Sequence, residues 1–515
     1  MTYLCVPIFV NDFSHARRDI ALAAEAGADL VELRIDTATD AEEVRNLLKA
    51  STLPAIVTCR PEWEGGQSEL GDEQRLRLLD EGAGNHASYI DVELKSLANA
   101  GQAFSRPDRS RLIVSSHDFL GRPERLYNLI ADLNRSFGDV NKIVWMARTV
   151  RDNLEAFEIL QTRHKPTIAL CMGEAGIVSR ILAKKFGAFL TFAPLSAPGA
   201  TAPGQVTIAD MKRLYRWDAV AADTKVFGVV GSPVGHSMSP AVHNAGFETV
   251  GFDGVYVPFL VNEGYESFKA FMESFISFAG LDLAGLSITI PHKENALRYL
   301  QEKGAQIEPL AATIGAVNTI VIERNNALTR LRGFSSDYAA ILDSITTKLG
   351  IARERLADYR VAVIGAGGTG RTAVAALAHY GATVVVYNRT FDRAKALADE
   401  FNGKTGHVVA AKMEKLRDCC CRIYLNATSV GMYPNIAQSP VGDEPMKWSA
   451  DTLAFDSVYN PMETKFLRQA REAGAQTIGG VEMFVRQAAS QFEAWTGQSA
   501  PIQTMRTIVE NRVTV

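Results

Sequence analysis

Eight short apolar runs recur through the first 194 residues, and no other feature of this 515-residue chain limits its fold as strongly. They are YLCVPIF at 3–9, DLVELRI at 29–35, AIVTCR at 55–60, YIDVEL at 89–94, RLIVSSH at 111–117, NKIVWMA at 141–147, TIALCMG at 167–173 and FLTFAP at 189–194. Helix-like stretches lie between them, such as DIALAAEAGA at 19–28 and EAFEILQTRH at 155–164. Parallel strands need a crossover, so this alternation predicts a parallel sheet. Eight such units predict an α/β fold closed into a (β/α)8 TIM barrel over residues 1–217. An open doubly wound sheet is the competing arrangement of the same pattern.

A barrel of this kind carries its chemistry at the C-terminal ends of its strands. Charged residues stand there: Glu32 and Arg34 on the second run, Arg60 closing the third, and Glu64 just beyond it. His117 ends the fifth run, Lys142 lies inside the sixth, and Arg180 follows the seventh. Any one alone reads as a surface charge; corresponding places in consecutive units read as a site. Lysine inside an apolar run points into the barrel or the helix layer. Burial disfavours its charge, leaving an amine able to attack a carbonyl. His117 fits an acid–base role near neutral pH, and nearby arginines fit a carboxylate.

The small, polar DAVAADTK at 218–225 separates two patterns, with a boundary expected near Asp223. The second pattern divides again, into a strand-rich α/β part at 224–345 and a nucleotide-binding part that follows from 346. In the latter, RVAVIG at 360–365 runs into Gly365-Ala366-Gly367-Gly368-Thr369-Gly370 and then the helix-like RTAVAALAHYG. Glycines there allow a tight turn and close approach of a pyrophosphate to a helix start, the mark of a Rossmann dinucleotide site. The next strand ends in Asn388 and Arg389, followed by Thr390 and Arg393, with no carboxylate for a ribose 2′-hydroxyl. Arginine forks suit a 2′-phosphate, so NADP is expected over NAD; solvated helix-start charges are the plainer reading.

Upstream, Ser237 and Ser239 stand before a helix and read equally well as caps. Lys293 follows a strand, and Asp337 lies in GFSSDYAA at 333–340. In one cleft such a pair could pass a proton to a carbonyl oxygen while hydride reaches its carbon.

The net charge of −4 gives no reason to expect nucleic-acid binding. The six cysteines lack paired metal-ligand spacing, so no metal is expected and reduced thiols are the simplest reading. There is no long charge-free apolar run, basic leader or Arg/Ser-rich presequence, so a soluble cytoplasmic enzyme acting on small molecules is expected, without a membrane partner.

VELRID at 31–36, TCRPEWEGG at 58–66, SSHDF at 115–119, NKI at 141–143, MGEAGIVSR at 172–180 and APGQ at 202–205 resemble type I 3-dehydroquinate dehydratase. The resemblance implies an imine between Lys142 and the substrate ketone, with His117 removing a C2 proton and then protonating the departing hydroxyl. It implies that Glu64 orients His117 and favours its charged form, that Arg180 binds the carboxylate, and that Glu32, Arg34, Arg60, Thr201 and Gln205 contact substrate or shape the pocket. A second APG at 197–199 leaves the register of that last loop open.

From about 224 onward, HSMSP, TIPHK, GAVNT, GAGGTG, NRTFDRA, NATSVGM, VYNP and GGVEMFVRQA resemble shikimate dehydrogenase, in order. The resemblance implies Lys293 and Asp337 as the catalytic pair, and shikimate near Ser237, Ser239, Thr289, Asn318, Tyr459 and Gln487. It implies NADP along Gly365–Gly370, Asn388–Arg393, Ser457 and Gly480. Two departures stand out: Ser335-Ser336 replaces the usual Asn-Thr before the aspartate, and Ser287 stands where many members have asparagine. The plant-type fused dehydratase–dehydrogenase is similar at that serine and at EMFVRQA. A preference for quinate is one competing reading; the Ser237–Ser239 pair favours shikimate. A metabolite-sensing regulator with degraded catalytic residues is another, and the presence of Lys142, His117, Lys293 and Asp337 opposes it.

Overall fold

The computed structural model describes residues 1–83, 86–100, 110–325 and 328–513. The eight apolar runs become β1 (Tyr3–Phe9), β2 (Leu30–Arg34), β3 (Ala55–Thr58), β4 (Tyr89–Glu93), β5 (Arg111–Asp118), β6 (Val140–Met146), β7 (Thr167–Met172) and β8 (Leu190–Phe192). All pair in parallel, in the order β7-β6-β5-β4-β3-β2-β1-β8. The ends of that order meet where Phe189 N–H donates to the Thr167 carbonyl at 2.8 Å. The expected barrel is therefore nearly closed, and the open sheet is set aside. Its strands are buried on both faces, which is why their sequences are continuous apolar runs. The covering helices are amphipathic in the ordinary way. In Ala41–Ala50, Val44, Leu47 and Leu48 face inward while Asp40 caps the backbone N–H groups of Glu42 and Glu43.

The chain forms two compact units, Met1–Pro240 with Asp253–Leu283, and Ala241–Phe252 with Ala284–Val515. Buried side chains tie the segment around Asp223 to the first unit. Lys185, on the barrel, donates to the carbonyls of Ala222 (2.7 Å) and Thr224 (2.9 Å) and to Asp282 (2.8 Å). Phe157 and Phe186 stack at 3.9 Å, with Phe278 edge-on to Phe186. The polar linker is thus pinned to the barrel, along with the parallel strands β9 (Lys225–Gly231) and β10 (Gly254–Leu260).

In the second unit, β11 (Leu283–Ile288) runs antiparallel to β13 (Thr319–Asn325), which is antiparallel to β14 (Leu328–Phe334); β12 (Gln306–Ile307) joins β14 in parallel. A separate parallel sheet contains β15 (Arg360–Ile364), β16 (Thr383–Tyr387), β17 (Val408–Ala411), β18 (Ile423–Asn426), β19 (Leu453–Asp456) and β20 (Gln476–Ile478). Its order, β17-β16-β15-β18-β19-β20, is that of a Rossmann fold, with the switch point between β15 and β18. The helix Gly480–Thr496 leaves this sheet and returns to the other one. There Gln491 bonds Ser287 and Thr319, and Trp495 donates to the Ile320 carbonyl. Among the described residues no helix is long and apolar enough to cross a membrane, and all six cysteines are free thiols.

Candidate active sites

Parallel register sets the barrel site. Glu93, Ser115 and Lys142 stand level on β4, β5 and β6. Two residues further along β5, His117 reaches the strand ends. One cavity there is lined by Glu32, Arg34, Arg60, Glu64, His117, Lys142, Arg180, Thr201 and Gln205. Every barrel residue expected to form a site is among them. The loop register is also resolved: 197–199 forms a helical turn apart from the cavity, and Thr201–Gln205 supplies its rim. Gln205 and Thr201 bond each other, and Gly173 N–H holds the loop through the Pro203 carbonyl at 3.0 Å.

Lys142 points into the barrel interior, and burial is not the only force on it. Its Nζ donates to Asp91 at 2.8 Å and Glu32 at 3.2 Å, and lies 4.6 Å from the centroid of the Phe192 ring. Glu64 Oε1 accepts from the His117 backbone N–H at 2.6 Å and lies 3.0 Å from its Nδ1. Burial, followed by the charges of Arg60 and Lys142, pushes His117 well below its ordinary value. The charged form expected from the resemblance is disfavoured by that burial and by the charges of Arg60, Lys142 and Arg34, with the Asp91 charge acting the other way. Glu64 is itself raised to about 7, chiefly by burial. That direction favours a neutral imidazole, the form able to accept a proton.

The three arginines differ. Arg34 is forked onto Asp36 at 3.1 and 2.6 Å. Arg60 donates to Glu93, Ser115 and Asp91 at 2.7–2.8 Å. Both therefore shape the pocket through protein carboxylates. Arg180 is wholly buried, has no hydrogen-bond partner at Nε among the described residues, and is lowered to about 10 by burial. A buried guanidinium without a carboxylate is suited to an anionic ligand.

Four residues escaped the sequence reading. Asp91, Glu93 and Ser115 complete the Arg60–Lys142 network. Asp36 ties the loop after β3 by accepting from the N–H groups of Arg60 and Gln67. The available signal was in YIDVEL, where carboxylates at alternate positions of a buried strand must face the same side.

In the second unit, Lys293 starts the helix Lys293–Glu302 and Asp337 lies in the first turn of Ser336–Leu349. Lys293 Nζ meets Asp337 Oδ2 at 2.6 Å. Backbone bonds brace the pair: Val317 N–H donates to the Lys293 carbonyl, and Ile288 N–H to that of Asn318. Ser336 explains one departure from the family pattern. Its N–H and hydroxyl engage the Asn318 side chain at 2.8–3.0 Å, so the retained hydroxyl still fixes the turn before Asp337. Ser335 N–H reaches Glu308 at 3.4 Å. Ser287 donates to Gln491 at 2.8 Å, replacing an amide by a hydroxyl–amide contact. Thr289 follows β11, Tyr459 packs on Phe484 with ring centroids 5.4 Å apart, and Gln487 donates to the Phe484 carbonyl. Ser237 and Ser239 belong to the first unit, where Ser239 N–H donates to the Ser237 hydroxyl at 3.2 Å.

The glycine loop after β15 divides into two roles. A Cβ on Gly370 would lie 2.1 Å from the Gly365 carbonyl oxygen, and Gly365 itself has φ +115°. At Gly367 and Gly368 a Cβ would meet nothing within 4 Å. Gly365 and Gly370 thus let strand and helix approach, while Gly367 and Gly368 leave open space at the start of the helix Gly368–His379. Ala366 N–H reaches Asn388 Oδ1 at 3.3 Å, which holds the loop beside the end of β16. Arg389, Thr390 and Arg393 are exposed there. Ser457 N–H donates to the Asn426 carbonyl, and Gly480 N–H to that of Val458.

Family models match four stretches: type I 3-dehydroquinase at 4–222, the shikimate dehydrogenase substrate binding domain at 229–320, shikimate/quinate 5-dehydrogenase at 348–436, and the shikimate 5′-dehydrogenase C-terminal domain at 480–510. A bifunctional 3-dehydroquinate dehydratase/shikimate dehydrogenase, chloroplastic, of Arabidopsis thaliana is 38% identical over 97% of this chain and 82% of its own. A pentafunctional AROM polypeptide of Kluyveromyces lactis is 31% identical over 93% of this chain and 30% of its own. A shikimate dehydrogenase (NADP(+)) of Caldanaerobacter subterraneus subsp. tengcongensis is 36% identical over 54% of this chain and 94% of its own. Both halves match, in the same order and within one polypeptide, so this chain belongs to the family of bifunctional 3-dehydroquinate dehydratase/shikimate dehydrogenases, which supply two consecutive activities of the shikimate pathway.

Proposed function

We propose that residues 1–217 dehydrate 3-dehydroquinate to 3-dehydroshikimate through an imine on Lys142, and that the rest of the chain reduces this product to shikimate with NADPH. The observation that carries the first step is the guanidinium of Arg180, buried in the same cavity as Lys142 and His117 and without a hydrogen-bond partner at Nε among the described residues. It fixes the substrate carboxylate and so presents the ring ketone to Lys142. The imine then draws electrons from C2 as neutral His117 takes the proton. The resulting imidazolium returns that proton to the leaving C1 hydroxyl, which departs as water. Glu64 keeps the imidazole in place through its two contacts with His117. Glu32, Arg34, Arg60, Thr201 and Gln205 wall the ring.

In the second reaction, residues 224–345 with 483–515 bind the substrate and 346–482 bind the cofactor. Bound NADPH supplies the hydride to the carbonyl carbon. The residues present fit that cofactor: open space at Gly367 and Gly368 for the pyrophosphate, and exposed Arg389 and Arg393 for the 2′-phosphate. Lys293 and Asp337, already hydrogen-bonded, hold and pass the proton that the carbonyl oxygen gains. Ser237, Ser239, Thr289, Asn318, Tyr459 and Gln487 are assigned to the substrate.

Borohydride added with dehydroquinate tests the first half. It should inactivate the dehydratase and leave a reduced adduct that mass spectrometry finds on Lys142. An adduct on another lysine, or inactivation with none, overturns the imine. For the whole chain, dehydroquinate and NADPH together should yield shikimate with matching loss of NADPH.

A further inference from the structure

We propose that Asp91 is a catalytic residue of the dehydratase, the counter-ion of the reacting nitrogen of Lys142. The inference rests on the Lys142 imine. Its starting point is charge conservation. A lysine ammonium and a ketone condense to a protonated imine and one water, so the nitrogen carries one positive charge before and after condensation. When His117 takes the C2 proton, the C–H electron pair forms a C2=C3 double bond, the C=N π pair moves onto the nitrogen, and the nitrogen becomes neutral. When the C1–O bond breaks, the nitrogen lone pair re-forms the C=N bond, the C2=C3 pair becomes the C1=C2 bond, the hydroxyl leaves as water with the proton from His117, and the charge returns to nitrogen. In a buried cavity a charge that persists and returns needs a fixed partner.

Asp91 has the geometry of that partner. It is wholly buried, and its Oδ2 lies 2.8 Å from Lys142 Nζ. Oδ1 is occupied separately, by Arg60 Nη2 at 2.8 Å and the Ser115 hydroxyl at 2.6 Å. One oxygen thus anchors the group while the other faces the nitrogen. Glu32 is further away, at 3.2 Å, and the same oxygen also accepts from Thr58 at 3.0 Å. Burial pushes the Asp91 carboxyl up, but the charges of Arg60 and Lys142 outweigh it and hold the group well below the usual carboxylate range. Asp91 therefore stays ionised and leaves the proton transfers to His117. Arg60 takes part of its charge, which keeps the pair from trapping the nitrogen in its cationic form.

Asp91→Asn retains shape and the acceptor for Arg60 and Ser115 while removing the charge. The rate of borohydride trapping at Lys142, measured with dehydroshikimate, should fall at least ~30-fold, the scale of a lost buried charge contact. The dehydratase kcat should fall with it, while KM moves little, because Arg180 still holds the carboxylate. NADP-linked shikimate oxidation by the same chain should be unchanged. Trapping and kcat equal to wild type would overturn the inference. So would a larger loss in Glu32→Gln than in Asp91→Asn. Absence of any Lys142 adduct in the wild-type enzyme would instead remove the imine itself. If Asp91→Asn loses the barrel's unfolding transition, Ser115→Ala takes its place, since it removes one donor from Asp91 and no charge. A fall in trapping of about threefold or more then supports the inference, and an unchanged rate overturns it.

Discussion

The two lysines assigned to chemistry sit in opposite surroundings. Lys142 is 5% exposed, faces two carboxylates, and lies in a network that also engages Arg60, Ser115 and Glu93. The side chain of Lys293 is 34% exposed and among the described residues has one partner, Asp337, itself 14% exposed. The difference follows the work proposed for each. A nitrogen that forms a covalent bond carries its charge away from water, so the protein must supply the counter-charges. A lysine that only hands on a proton can stay near solvent, and one carboxylate suffices to place it. The first kind of site tolerates little change, since a buried charge without its partner is strongly destabilising. The second should lose activity with less damage to the fold.

The largest effect expected is that of Lys142→Ala. It should abolish dehydration, by ~10⁴-fold or more as for the loss of a covalent nucleophile, while shikimate oxidation by the same protein proceeds at the wild-type rate. Parallel loss of both activities would mean that the network around Lys142 supports the whole chain. His117→Ala comes next. Dehydration should slow by about 10²-fold or more, with borohydride trapping at Lys142 retained; near-normal turnover would assign the base elsewhere.

On the open side, replacing Arg389 and Arg393 with alanine should raise the KM for NADP(H) roughly tenfold or more, from about 1.5–3 kcal/mol per charge-assisted contact. The KM for NAD(H) and the dehydratase rate should hardly move. Equal losses with both cofactors would make these arginines structural.

A last effect concerns stability. Glu64, raised from 4.5 to about 7 by burial, binds its proton more tightly in the folded state. The native state therefore loses stability as pH rises from about 4.5 to 7, by roughly 3 kcal/mol. Glu64→Gln lacks that penalty. It should melt at a higher temperature than wild type at pH 8, with the gap closing near pH 5. A gap that is the same at both values would show that Glu64 is not raised.

The barrel was legible in outline because parallel strands buried on both faces declare themselves as apolar runs, and β1 matches its run residue for residue. The site residues were legible for a related reason: a charge inside such a run, or at its end, is conspicuous. Lys142, His117 and Arg60 needed no tertiary information to be noticed. The glycine loop was equally local, since strand, turn and helix follow one another within 20 residues of sequence. Less was legible in how these groups act. Asp91 looked like one more strand residue, and the cations that disfavour a charge on His117, Arg60 and Lys142, come from elsewhere in the chain.

The sequence by itself determined the strand and helix alternation, the cofactor loop and the identity of the charged groups, because each depends on neighbours within a few positions. Tertiary structure decided which charges meet. Arg60 finds Asp91 31 residues away, and Lys142 finds Asp91 at 51 and Glu32 at 110. Closure of the barrel brings those positions together, and strand register sets their height. The lack of a partner at Arg180 Nε among the described residues and the disfavoured charge on His117 follow from the same packing. Both reflect burial and the sum of charges around one cavity, which no local stretch of sequence contains.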